Sequence, residues 1–84
     1  MDVILVNFKW KKYNVVFTKH ALERMKSRGI TFYDVKNSIE NFDKHYKSYW
    51  KDVVEKEIDF NIIRTVFSIN SDNIILITSM FLWK

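Results

Sequence analysis

The sequence predicts an α+β domain in which two consecutive helices pack on an antiparallel sheet. Three observations carry this: apolar residues return every three or four positions between Thr18 and Phe42, β-branched residues crowd two later runs, and short polar turns separate those runs. VILVNF (residues 3–8) and YNVVF (13–17) read as two strands joined through the basic KWKK (9–12), a ragged hairpin. Thr18 has the hydroxyl that caps a helix start and Gly29 can take the left-handed conformation that ends one, so a helix is expected to about Arg28. Thr31 and Asp34 have capping-box spacing at the start of a second helix, whose apolar stripe is Phe32, Val35, Ile39 and Phe42. VVEKEIDF (53–60) alternates as a strand with one wet side, and Asn61 is the expected turn. IIRTVFSI (62–69) and NIILITSMF (73–81), joined by NSDN (70–73), are the expected buried strands. The meander thus runs from about residue 52 to residue 81, with KHYKSYWK (44–51) leading into it. Helix stripes and the apolar face of the sheet each need a partner, and they supply one another.

With 84 residues, 48% of them apolar, the chain has material for one small core, and residues 1–84 read as a single domain. There is no cysteine, which excludes disulfide staples and thiolate metal sites. No apolar run reaches the roughly 18 residues that span a bilayer, and the amino terminus lacks the pattern of a secretory signal. A cytoplasmic protein without membrane contact is expected. The charge is uneven: residues 1–51 hold 11 Lys or Arg against 5 Asp or Glu, whereas residues 52–84 hold 3 against 5, within a chain of net +4. A basic face would therefore come from the first half, where it would attract a phosphate backbone whatever its bases.

His20, Arg24 and Arg28 fall at four-residue intervals on the first helix, a ridge beside the core side formed by Ala21, Leu22 and Met25. Cations so placed repel one another unless an anion lies near. One reading pairs the arginines with Glu55 or Glu57 across the helix–sheet junction; the other gives them a phosphate, which the guanidinium fork fits. Histidine exchanges a proton near neutral pH, so the group has the chemistry to cleave RNA by activating a ribose 2′-hydroxyl against the adjacent phosphate. Neither His20 nor His45 lies in a metal-binding pattern and the acids show no metal-loop spacing, so no metal and no other cofactor is expected. KHYKSYWK interleaves Lys44, Lys47 and Lys51 with Tyr46, Tyr49 and Trp50, a composition suited to phosphates and stacked bases. It is equally suited to joining a helix to a strand with solvated lysines, and KWKK shares the ambiguity. Residues 19–42 also have helix-turn-helix order, in which Lys36 and Asn37 of the second helix would meet DNA, but that helix carries Asp34 and Glu40 and no arginine.

FTKHALERMKSRGIT (17–31) resembles the helix signature of the DUF4258 family, a histidine and an alanine followed by arginines before a glycine and an aliphatic residue. The matching positions are His20, Ala21, Arg24, Arg28, Gly29 and Ile30. The resemblance covers about residues 17–80. That family is similar to the RelE/ParE group of small toxin domains, which implies a RelE/ParE-like fold of amino-terminal helices on an antiparallel sheet. It also implies a toxin-like RNA endonuclease, ribosome-dependent or free, or else a noncatalytic module that binds nucleic acid or a protein. In the enzyme His20 would move protons, Arg24 and Arg28 would bind phosphate, and Arg64 would add charge from a strand. RelE-like enzymes also place basic or tyrosine side chains near the carboxyl terminus, where TSMFLWK (78–84) offers only Lys84. The implied partners are RNA or the ribosome, an antitoxin-like protein, and a second copy in a homodimer, with open strand edges available for pairing.

Overall fold

The computed structural model describes residues 3–82, and Lys84 lies outside them. In chain order the elements are β1 (Val3–Phe8), β2 (Lys11–Phe17), α1 (Lys19–Arg28), α2 (Phe32–Glu40), β3 (Lys44–Ser48), β4 (Lys51–Ile58), β5 (Asn61–Asn70) and β6 (Asn73–Leu82). Both helices begin and end where their caps dictate. Thr18 Oγ1 accepts the Ala21 N–H at 3.2 Å, and Gly29 closes α1 at φ 70°. Thr31 and Asp34 exchange side-chain to backbone bonds at 3.1 Å each, the reciprocal capping box that starts α2.

The strands form one sheet in the order β1-β2-β6-β5-β4-β3. Neighbours are antiparallel except β2 and β6, which run parallel over Asn14–Phe17 and Asn73–Leu76. Both helices lie on one face. There Ala21, Met25, Ile30, Val35 and Ile39 meet Val6, Phe8, Val15, Phe17, Val54, Phe67, Ile74 and Leu76 in a single buried cluster. Leu22 and Phe32 of the expected stripes sit at its margin, whereas Phe42 packs against it from just beyond α2. A chain of hydroxyls crosses the helix–sheet boundary: Ser38 bonds Thr65 at 2.8 Å, and Thr65 bonds Ser79 at 3.0 Å. Among the described residues no buried polar side-chain atom lacks a partner.

Although β1 and β3 lie at opposite edges of the sheet, Phe8 meets His45 edge to face at 5.3 Å, so the sheet curls over its helical side. Two strand edges are covered by helix side chains. Glu40 Oε2 accepts the Asn7 N–H at 2.9 Å on β1. Where β2 stops pairing, the Thr18 hydroxyl donates to the Leu76 carbonyl at 3.1 Å on β6.

Three expectations are corrected. Residues 44–48 form a strand rather than a connection, hidden in the sequence because both of its faces carry polar residues. The turn before β5 is Asp59-Phe60, both with positive φ, and Asn61 already belongs to the strand. Nor is the expected wet side of β4 fully wet: Val53 is buried and the Glu55 side chain is only 12% exposed, under Tyr46 and Arg64.

Asp43 ties the start of β3 to β4. Its Oδ2 accepts the Glu57 N–H at 2.8 Å, and Lys56 Nζ lies 3.5 Å from Oδ1. That backbone bond, helped by Lys56, holds the carboxyl below its ordinary pKa. A depressed carboxyl contributes stability above its unfolded pKa and loses it as pH falls through the folded value. Stability should therefore decline as pH falls below about 4, and Asp43→Asn should flatten part of that decline in denaturation curves measured across this range.

Candidate nucleic-acid interface

The residues expected to carry chemistry on α1 have different surroundings. The His20 side chain is 84% exposed, with Nδ1 4.0 Å from Glu23 Oε1. Arg24 is also exposed. Arg28 instead donates from Nη1 to Thr78 Oγ1 at 3.2 Å and to the Ser79 carbonyl at 3.0 Å, capping the β6 edge that β2 leaves uncovered. Arg64 lies across the sheet from the helices, because its neighbour Thr65 faces Ser38 of α2 and successive side chains alternate. Its Nε and Nη2 donate to Glu55 Oε2 at 3.2 and 3.1 Å, and the Tyr46 hydroxyl donates to the same oxygen at 3.0 Å. Burial first, and the bond to Glu55 second, push the Tyr46 phenol above its ordinary pKa. The structure therefore separates Arg64 from His20 and Arg24. The grooves lined by Leu22, Met25, Ile30 and Phe32, and by Asp43, Glu55, Glu57 and Ile62, include none of these three.

Residues 44–51 divide by the pleat of β3. Lys44 and Tyr46 point to the outer face, His45 and Lys47 to the helical side, and Tyr49-Trp50 forms the turn into β4. Register then brings together groups that the sequence holds apart. His45 Nε2 lies 2.9 Å from Asp52 Oδ1, and Lys47 Nζ lies 3.2 Å from Asp52 Oδ2. Sequence reading passed over this His45–Asp52 pair, since only the hairpin register, with Lys47 opposite Asp52, reveals it.

Strand direction gathers the remaining candidates. β2, β4 and β6 all start at the same end of the sheet, so the turns preceding them, Lys9-Trp10, Tyr49-Trp50 and Ser71-Asp72, crown that end. Asp59-Phe60 occupies the other. Two-residue hairpin turns require left-handed backbone and favour asparagine and glycine. Here Lys9, Trp10 and Tyr49 hold it at φ 51°, 72° and 59°. A bulky residue there is strained, and such strain gathers at functional positions. The aromatic side chains at these tips have little packing to offset it: Trp10 is 104%, Tyr49 95% and Trp50 65% exposed. Lysines surround them. Lys9 Nζ lies 5.6 Å from the centroid of Phe8 and Lys51 Nζ 5.2 Å from that of Trp50, Lys12 is exposed, and Lys11 bridges to Asp72 at 3.2 Å.

Trp10→Gly should consequently raise stability. Relief of left-handed strain, about 1–2 kcal/mol, exceeds the entropy that glycine adds to the unfolded chain, about 0.4–1 kcal/mol. Chemical denaturation of the variant checks the sign, which is opposite to that expected for removing an ordinary tryptophan.

Among comparisons with known proteins, the family model described as "Domain of unknown function (DUF4258)" matches residues 17–81. No curated protein matches the chain, and neither does any solved structure. Among the described residues no helix is long and apolar enough to cross a membrane, and no group of three or more His, Cys, Asp or Glu is placed to hold a metal ion.

Proposed function

The chain belongs to the DUF4258 family, and from its hairpin end we propose that it binds single-stranded RNA, as a toxin-like domain related in fold to the RelE/ParE group. One observation carries the reading: Trp10 and Tyr49 stand in solvent on left-handed backbone, with exposed Trp50 beside Tyr49, at one end of the sheet among Lys9, Lys12, Lys47 and Lys51. Aromatic faces stack unpaired bases and the lysines between them neutralise phosphates. Duplex DNA offers no such faces, so the preference is for single strands. The helix-turn-helix alternative gains nothing from α2, whose Lys36 lies 3.8 Å from Glu40 and 3.5 Å from the Leu5 carbonyl. On α1, Arg28 is engaged at the β6 edge and His20 stands in solvent, so that helix supports a role in charge more than in proton transfer.

Fluorescence anisotropy with labelled single-stranded RNA and duplex DNA tests the reading. Three or four engaged lysines give a slope of log affinity against log salt of about −2 to −3. Equal affinity for duplex and single strand would reject it.

A second reading, a module that binds a protein partner, rests on β3. Among the described residues the outer edge of β3 has no covering helix bond, unlike those of β1 and β6. A strand from an antitoxin-like protein or a second copy could add there. Mass measurement of the protein purified from its native host decides between these and a monomer.

A further inference from the structure

His45 is the histidine with a built environment. Its side chain is 13% exposed and Asp52 is 4% exposed, their contact is 2.9 Å, and Phe8 and Phe42 flank the ring at 5.3 and 5.6 Å between centroids. A carboxylate bonded to one ring nitrogen fixes the tautomer and orientation, which leaves the other nitrogen to exchange a proton. That other nitrogen is Nδ1, since the ring meets Asp52 through Nε2. Lys47, 64% exposed, shares Asp52 and brings an ammonium to the same spot. The pair lies on β3 and β4 beside the turn that carries Tyr49 and Trp50.

We propose that His45, oriented by Asp52, is the proton-transfer residue of an RNA-cleaving centre at the hairpin end. The proposal rests on single-stranded RNA binding there. A nucleotide stacked on the tips would present its ribose and phosphate to the helical side of β3. His45 Nδ1 takes the proton of the 2′-hydroxyl, the 2′-oxygen bonds to the adjacent phosphorus, and the bond from phosphorus to the 5′-oxygen breaks. The departing oxygen takes a proton from the Lys47 ammonium, which water restores, and His45 returns its own proton to solvent. The products are a 2′,3′-cyclic phosphate and a 5′-hydroxyl, and the step needs no oxidant, reductant or co-reactant. Asp52 bonds the ring, Lys47 shares that carboxylate, and Phe8 and Phe42 flank the ring with aromatic carbon.

The test incubates the intact protein with an end-labelled unstructured RNA oligonucleotide in excess chelator, and with the same sequence made of deoxynucleotides. The expected result is binding of both, cutting of RNA alone, and cyclic-phosphate ends. His45→Ala should cut about 100-fold more slowly while binding RNA as before, and added imidazole should restore part of the rate. Asp52→Asn, similar in shape, should alter the pH–rate profile, a readout that a purely structural role would not move. Thermal unfolding confirms that both variants are folded; if His45→Ala is not, His45→Gln takes its place. Binding without cutting by the native protein would overturn the catalytic proposal and leave the RNA-binding reading standing. Unchanged cutting after His45 replacement would overturn it too, and failure to bind RNA would overturn both.

Discussion

Phe67→Ala is expected to remove about 3–5 kcal/mol of stability. For 84 residues the whole is roughly 4–13 kcal/mol, so the variant should lose from about a quarter of its stability to all of it. The position explains the size. Phe67 is fully buried, meets Phe8 edge to face at 5.3 Å, and pairs with Leu76 where β6 also joins β2 in parallel. A shift in the β5–β6 register follows between Val66 and Phe67, so the ring sits where the sheet changes geometry. The cavity could not close without moving both halves. Phe60→Ala is the matched control, since Phe60 is 89% exposed and should change stability by less than about 0.5 kcal/mol. Denaturant titration of the two variants separates burial from aromatic character.

Trp10→Ala combined with Trp50→Ala should leave the protein folded and abolish most RNA binding. Each stacked base contributes about 1–3 kcal/mol, so each substitution should weaken binding by roughly fivefold to 150-fold, with the two effects multiplying if the tips act independently. Trp10→Gly sharpens the expectation, because the same change should raise stability and lower affinity. A tryptophan serving the fold would move both in the same direction.

Much of the fold was legible because it is written in local chemistry. Thr18, Gly29, Thr31 and Asp34 announce both helices, and the β-branched runs announce β5 and β6. Strand β3 was not, since KHYKS alternates between two polar faces: one is satisfied by Glu55 across the sheet, the other by Asp52. Nor was the turn at Asp59-Phe60, because an aromatic residue in left-handed backbone contradicts the usual turn preference. The candidate site shows the same division. Composition exposed the lysines and aromatic residues of 9–12 and 44–51, but their meeting at one end depends on the parallel pairing of β2 with β6, a long-range event with no local signature. Helical spacing placed His20, Arg24 and Arg28 on one ridge and could not show that Arg28 would be drawn to the β6 edge.

The most direct test of the RNA-binding account is a titration of the isotopically labelled protein with an unstructured RNA oligonucleotide, followed residue by residue through backbone amide shifts. The account predicts the largest changes at residues 9–12 and 47–51, together with the indole signals of Trp10 and Trp50. Changes concentrated instead on residues 20–28 of α1, with the hairpin tips unmoved, would contradict it.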